Sequence, residues 1–180
     1  MPTFQSYDGT RLAYHVEGSG EPLVCLPGGP GRASGYLGDL GGLPRTLIRL
    51  DLRGTGASAR PDNPDTYRCD RLVEDVEALR THLGLARLPL LAHSAAGDLA
   101  LLYGARYPER LAHLLLIAPL GRAVGFELTE DEWHSGLERL SDRPWYDDAY
   151  DAIMAWNSGD GDPEIRLRAA PLNPSHPRAV

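Results

Sequence analysis

The chain has 180 residues, 42% of them hydrophobic, with two cysteines and a formal net charge of −7. That length suits one domain with a sizeable core. An acidic chain with a pI near 5.3 disfavours nucleic acid as a partner, because phosphate binding needs a basic face. All 18 basic residues are arginine, which excludes Schiff-base lysines and the phosphate-binding lysine of a P-loop. No apolar run is long enough to cross a bilayer, and no basic-then-apolar leader opens the chain. A cytoplasmic location without a membrane partner is expected.

In chain order, TFQSY and TRLAYHVEG flank the turn signal YDG and predict an opening hairpin. Leu23–Leu26 is a short apolar strand that runs into the loop PGGPG, and Cys25 within it reads as a core residue. Leu47–Asp51 is a second such strand, followed by the Gly-rich turn DLRGTG. CDRLVEDVEALRTHLG predicts an amphipathic helix with Leu72, Val73, Val76, Leu79 and Leu83 on one stripe and Gly84 at its C-terminal end. LPLLAH is a third strand. AAGDLALLYGARYP predicts a helix stopped by Pro108. RLAHLLLIAP is a fourth strand, ended by Pro119. Apolar strands alternating with helices predict an α/β fold, a mostly parallel sheet flanked by helices. Ligands of such sheets bind beyond the carboxyl ends of the strands, where the Gly-rich turns fall.

After residue 121 the character changes. Residues 122–170 are strongly acidic, with Arg139 and Arg143 the only bases between Glu127 and Glu164. Trp133, Trp145, Tyr146, Tyr150 and Trp156 are interleaved, and the segment reads as two or three helices forming a cap. Residues 171–180 carry three prolines without periodicity and are expected to be irregular. The division is therefore 1–121 core, 122–170 cap and 171–180 tail.

Ser94 is the residue with chemistry to offer. A serine on a tight strand-to-helix turn is lifted out of the sheet, and the first amides of the helix point at a developing oxyanion. The turn demands small residues two before and two after the serine, here Ala92 and Ala96, with Gly97 next. Alanine replaces the glycines of G-x-S-x-G. The competing reading is an N-cap serine ahead of an alanine-rich helix. An oxyanion hole needs a second amide, and PGGPG after an earlier strand supplies one. Gly29 and Ala95 are the candidate donors.

PGGPG after a strand, then DLRGTGAS, AHSAAG and RYPERLAHLLLIAP, together resemble an α/β-hydrolase. The likeness spans about Phe4 to Ala170 and is greatest to the proline iminopeptidase branch. The resemblance implies Ser94 as acyl-accepting nucleophile, Gly29 and Ala95 as oxyanion donors, no cofactor or metal, and a helical cap whose acidic residues hold a substrate's free amino terminus. Pro27 stands where the family usually has histidine.

The family order is Ser, then Asp or Glu, then His, on loops after later strands. No strand is evident after Ile117 and no acid follows Glu164, so the last strands of the fold are expected to be missing. His15, His82, His93, His113 and His134 read as structural. His176 alone lies near the end and is the candidate base. Asp51 and Asp98 read as a turn residue and a helix first-turn acid. A shortened chain would leave Leu111–Ile117 as an exposed apolar edge, available for self-association. The expectation is a serine hydrolase acting on an N-terminal peptide bond or a small ester or amide, its substrate a small molecule or short peptide. The alternative is a non-catalytic remnant or binding module on the same fold. An epoxide hydrolase or dehalogenase would carry aspartate at the elbow, and Ser94 argues against both.

Overall fold

A computed structural model describes residues 1–29, 31–126, 129–159 and 162–172. The chain forms two compact units, Met1–Phe126 and Glu127–Val180.

The first unit is built on a six-stranded sheet: β1 (Thr3–Gln5), β2 (Arg11–Gly18), β3 (Pro22–Leu26), β4 (Thr46–Asp51), β5 (Leu88–His93) and β6 (Leu111–Ile117). The spatial order is β1-β2-β4-β3-β5-β6. The opening hairpin is antiparallel, and β2 pairs antiparallel with β4. The four strands β4, β3, β5 and β6 are parallel, so their carboxyl ends share one edge of the sheet. The four parallel strands were legible as apolar runs, because parallel central strands are buried on both faces, and the opening hairpin was legible from its alternation and the turn YDG.

The alternation of side chains assigns each strand residue to one of two cores. One face gathers Val24, Leu26, Ile48, Leu50, Leu90 and Ala92 against Val73, Val76 and Leu79 of α1 (Cys69–His82) and Leu99, Ala100 and Tyr103 of α2 (Ala96–Arg106). Tyr103 is fully buried and its hydroxyl donates to Glu77 at 2.9 Å. The other face carries Leu23, Cys25, Leu47 and Leu91, with Leu37 and Leu40 packed on them from the segment around the 3-10 turn Ser34–Leu37. Gly84 has φ +67°, the left-handed geometry that ends α1.

Among the described residues β6 lies at the edge of the sheet, paired only with β5. Leu114 and Leu116 reach the core, whereas Leu115 and Ile117 are 45% and 44% exposed.

The second unit contains α3 (Glu130–Glu138), α4 (Tyr146–Asn157) and α5 (Pro163–Arg168). Thr129 and Glu132 form a reciprocal capping box at the start of α3. Leu137, Ala149, Ala152, Ile153, Ala169 and Leu172 make a small core bordered by Trp133, Tyr146, Tyr150 and Trp156. Four of the five aromatic residues interleaved with acids are thus the rim of a core, and Trp145 is exposed. The expected irregular tail falls largely on residues 173–180, outside the described residues.

Candidate active site

Ser94 occupies the turn between β5 and α2 with φ +53°, in the left-handed region. A non-glycine residue there is strained by about 1–3 kcal/mol and persists only when its surroundings enforce it. They do so through the backbone. The Ser94 amide donates to Ile117 O at 2.9 Å, tying the turn to the end of β6, and the Ser94 carbonyl accepts from Gly97 N at 2.9 Å. The packing also demands small neighbours. Ala92 and Ala96 are buried, and a Cβ on Gly97 would stand 2.6 Å from Pro119 Cβ. The N-cap reading of Ser94 is corrected here: Ala95 is the N-cap of α2, and no side chain caps that helix.

The loop after β3 lies against this turn. A Cβ on Gly28 would come within 2.8 Å of Ser94 Cβ and 2.9 Å of His93 O, so only glycine lets the two backbones meet. The Gly28 amide donates to Tyr36 Oη at 2.6 Å, and Tyr36 Oη lies 2.8 Å from His93 Nδ1. Gly29 follows with φ +136° and is exposed. Ala95 is half-buried at the N-terminus of α2. Beside the turn is a cavity of about 390 Å³, lined by Gly28, Ala95, Ala96 and the apolar side chains of Leu52, Leu72 and Leu99. Cys69 also lines it; burial, then the nearby charges of Asp98 and Asp70, pushes its thiol up and keeps it a poor nucleophile at neutral pH. Cys25, pushed up to about 12 by burial, is inert in the core.

The second Gly-rich turn, after β4, is consumed by structure. Asp51 is buried and accepts from Ala57 N, from Ser34 N and Oγ, and from His15 Nε2. Burial alone would raise its carboxyl; the amide donors and the Ser34 hydroxyl hold it below the usual carboxylate range. Gly56 has φ +50°, and a Cβ there would sit 2.1 Å from Asp51 Oδ2. Arg53 points inward, 2% exposed, and forks onto Asp75 of α1 through Nε and a second guanidinium nitrogen, while its remaining nitrogen reaches Asp8 at 2.8 Å. The Ser6 hydroxyl completes the cluster on Asp75. Sequence reading missed this cluster. Its only signal was an aspartate at the buried position next to Val76 of α1.

The histidines are accounted for individually. His15 meets Asp51, His82 meets Tyr14 at 3.1 Å, His93 meets Tyr36, and His134 meets Tyr150 at 3.2 Å. His113 is exposed on β6. Asp98 accepts from Ala123 N at 3.0 Å, as a first-turn acid. Among the described residues no side chain is hydrogen-bonded to the Ser94 hydroxyl, and no group of three or more potential metal ligands occurs. His176, the candidate base, lies outside the described residues. No helix among them is long and apolar enough to cross a membrane.

A mostly parallel sheet, a strained serine turn ahead of a helix and a glycine loop packed against it define the class: the chain belongs to the α/β-hydrolase fold family, whose sequence model matches residues 21–156. Its relatives narrow the likeness to one branch. The chain is 40% identical over 125 residues to a proline iminopeptidase of Lactobacillus helveticus, covering 66% of this chain and 42% of that protein. It is 34% identical over 131 residues to a proline iminopeptidase of Clostridium botulinum, covering 71% and 45%. The chain thus spans less than half the length of these relatives. An epoxide hydrolase of Bacillus megaterium shares the fold with a TM-score of 0.63 at 20% identity, over 92% of this chain and 58% of that one.

Proposed function

We propose that the protein is a serine hydrolase scaffold in which Ser94 is the acyl-accepting nucleophile and the Gly29 and Ala95 amides stabilise the oxyanion. The observation that carries this reading is the left-handed serine turn packed against Gly28. Nothing in folding alone rewards a strained serine there, whereas a half-buried hydroxyl without a partner among the described residues, at a helix N-terminus, is what acyl transfer requires. The substrate class is an N-terminal peptide bond or a small ester or amide. Relatives named proline iminopeptidase support the peptide reading. The mostly apolar cavity beside the turn suits an uncharged substrate group.

The second reading is a non-catalytic binding module. It is favoured by the engagement of His15, His82, His93 and His134 with partners other than Ser94, because an unassisted serine hydroxyl is a weak nucleophile. A fluorophosphonate probe with peptide mass spectrometry separates the two. An adduct on Ser94, absent from the Ser94→Ala variant, supports the hydrolase. Folded protein without adduct supports the binding module.

Self-association through the edge strand Leu111–Ile117 belongs to the same proposal. The strand is uncharged apart from His113, and Leu115 and Ile117 are exposed. Sedimentation velocity should show Leu115→Lys shifting the protein toward monomer.

A further inference from the structure

Tyr36 is used by none of the chemistry proposed above, yet it joins the two elements from which that chemistry is built. It sits on the 3-10 turn Ser34–Leu37, not on the glycine loop or the serine turn. Its hydroxyl touches both. The Gly28 N–H donates to Tyr36 Oη at 2.6 Å, and Oη is 2.8 Å from His93 Nδ1. A phenol has one proton. Oη accepts from the Gly28 N–H, and in its contact with His93 Nδ1 either atom can donate. The surroundings favour the neutral imidazole. Burial, then the charge of Arg32, lowers the tendency of His93 to protonate. The Arg32 guanidinium lies over the Tyr36 ring, 4.0 Å from its centroid, and holds the ring in place by a cation–π contact. The two rings meet edge-on at 5.7 Å.

His93 is the residue immediately before Ser94, and Gly28 immediately precedes Gly29. We infer that Tyr36 is a positioning residue: through one hydroxyl it fixes the distance between the glycine loop after β3 and the serine turn after β5. The inference rests on the reading of Ser94 as nucleophile and Gly29 as oxyanion donor, and it deepens that reading. The Gly28 amide is spent on Tyr36 and cannot face a substrate. The Gly29 amide, one peptide further on, is thereby left as the donor the loop offers, and its place relative to Ser94 is set by the chain Gly28–Tyr36–His93. Misplacement of such a donor by a fraction of a bond length weakens stabilisation of the oxyanion without unfolding anything.

The test uses the whole chain and two independent readouts. Nitrogen-15 NMR of the imidazole is expected to show His93 neutral, with Nδ1 hydrogen-bonded to the Tyr36 hydroxyl. The Gly28 amide resonance should move in Tyr36→Phe. Fluorophosphonate labelling of Ser94 should slow by about tenfold or more in Tyr36→Phe and in His93→Leu. His93→Asn places an amide oxygen where Nδ1 stood and should restore the rate to near wild type. Thermal melts of each variant separate misfolding from misplacement, and the NMR of folded wild type stands even if a variant does not fold. A His93 Nδ1 with no hydrogen bond to Tyr36, or a Gly28 amide indifferent to Tyr36→Phe, overturns the inference. So does unchanged labelling in folded Tyr36→Phe. If the wild type takes no label at all, the Ser94 reading fails separately, and the NMR result alone decides whether the hydroxyl bridge exists.

Discussion

The turns that leave β4 and β5 lie at the same end of the sheet, and both set polar residues among small ones. They do opposite things. At the β4 turn the polar groups are turned inward and saturated: Asp51 takes amide, hydroxyl and imidazole donors, and Arg53 is fully engaged with Asp75 and Asp8. At the β5 turn the backbone is tied down while the Ser94 hydroxyl has no partner among the described residues. The first turn spends its hydrogen-bonding capacity on stability. The second holds strain and keeps its capacity in reserve, the property on which the proposed role of Ser94 rests.

The sharpest way to break this contrast is at Arg53. Replacing it with leucine strands the Asp75 carboxylate, which burial already pushes up against the pull of Arg53. Loss of one partner of a buried pair should cost about 3–5 kcal/mol, read as a drop in the urea midpoint. Gly56→Ala comes next. Its Cβ would collide with the Asp51 carboxylate at a left-handed φ, and about 2–3 kcal/mol should be lost in the same measurement.

At the other turn the sign reverses. Ser94→Gly relieves a left-handed serine and should raise stability by about 1 kcal/mol while abolishing labelling by a fluorophosphonate. A destabilised Ser94→Gly protein would show that the β5 turn stores no strain. The smallest effect is that of pH on Asp8. Burial would raise its carboxyl, but hydrogen bonds from Arg53 and Thr10 outweigh that and hold it at about 2 against an ordinary 3.8. A depressed carboxylate stabilises the fold above its unfolded value, and that contribution fades as pH falls from 3.8 through 2. The gap in melting temperature between wild type and Asp8→Asn should therefore close as pH is lowered from 4 to 2.

Much of the fold was legible because it is written in short-range terms. Continuous apolar runs such as PLVCL and LPLLAH mark strands buried on both faces, the stripe Val73, Val76, Leu79 marks the inner side of α1, and Gly84 marks its end. Ser94 was legible too, since a tight turn restricts Ala92, Ala96 and Gly97 by size alone. Arg53, Asp75, Tyr36 and His93 were not. A buried charge is tolerated only by a partner, and Asp75 lies 22 residues from Arg53 and 69 from Ser6. Tyr36 and His93 are separated by 57 positions. No local pattern encodes such pairings.

By itself, then, the order of residues determined which segments become strands and helices, which face each buries, and that a serine stands on a cramped bend. Periodicity and side-chain size act over a few residues, and so can be read from them. Only the folded chain decided which polar side chains meet: that Asp51 and Arg53 are used up in holding the β4 turn, that four histidines are occupied elsewhere, and that one tyrosine hydroxyl links the glycine loop to the serine turn. Those outcomes depend on distances between strands remote in sequence, which are set when the sheet assembles.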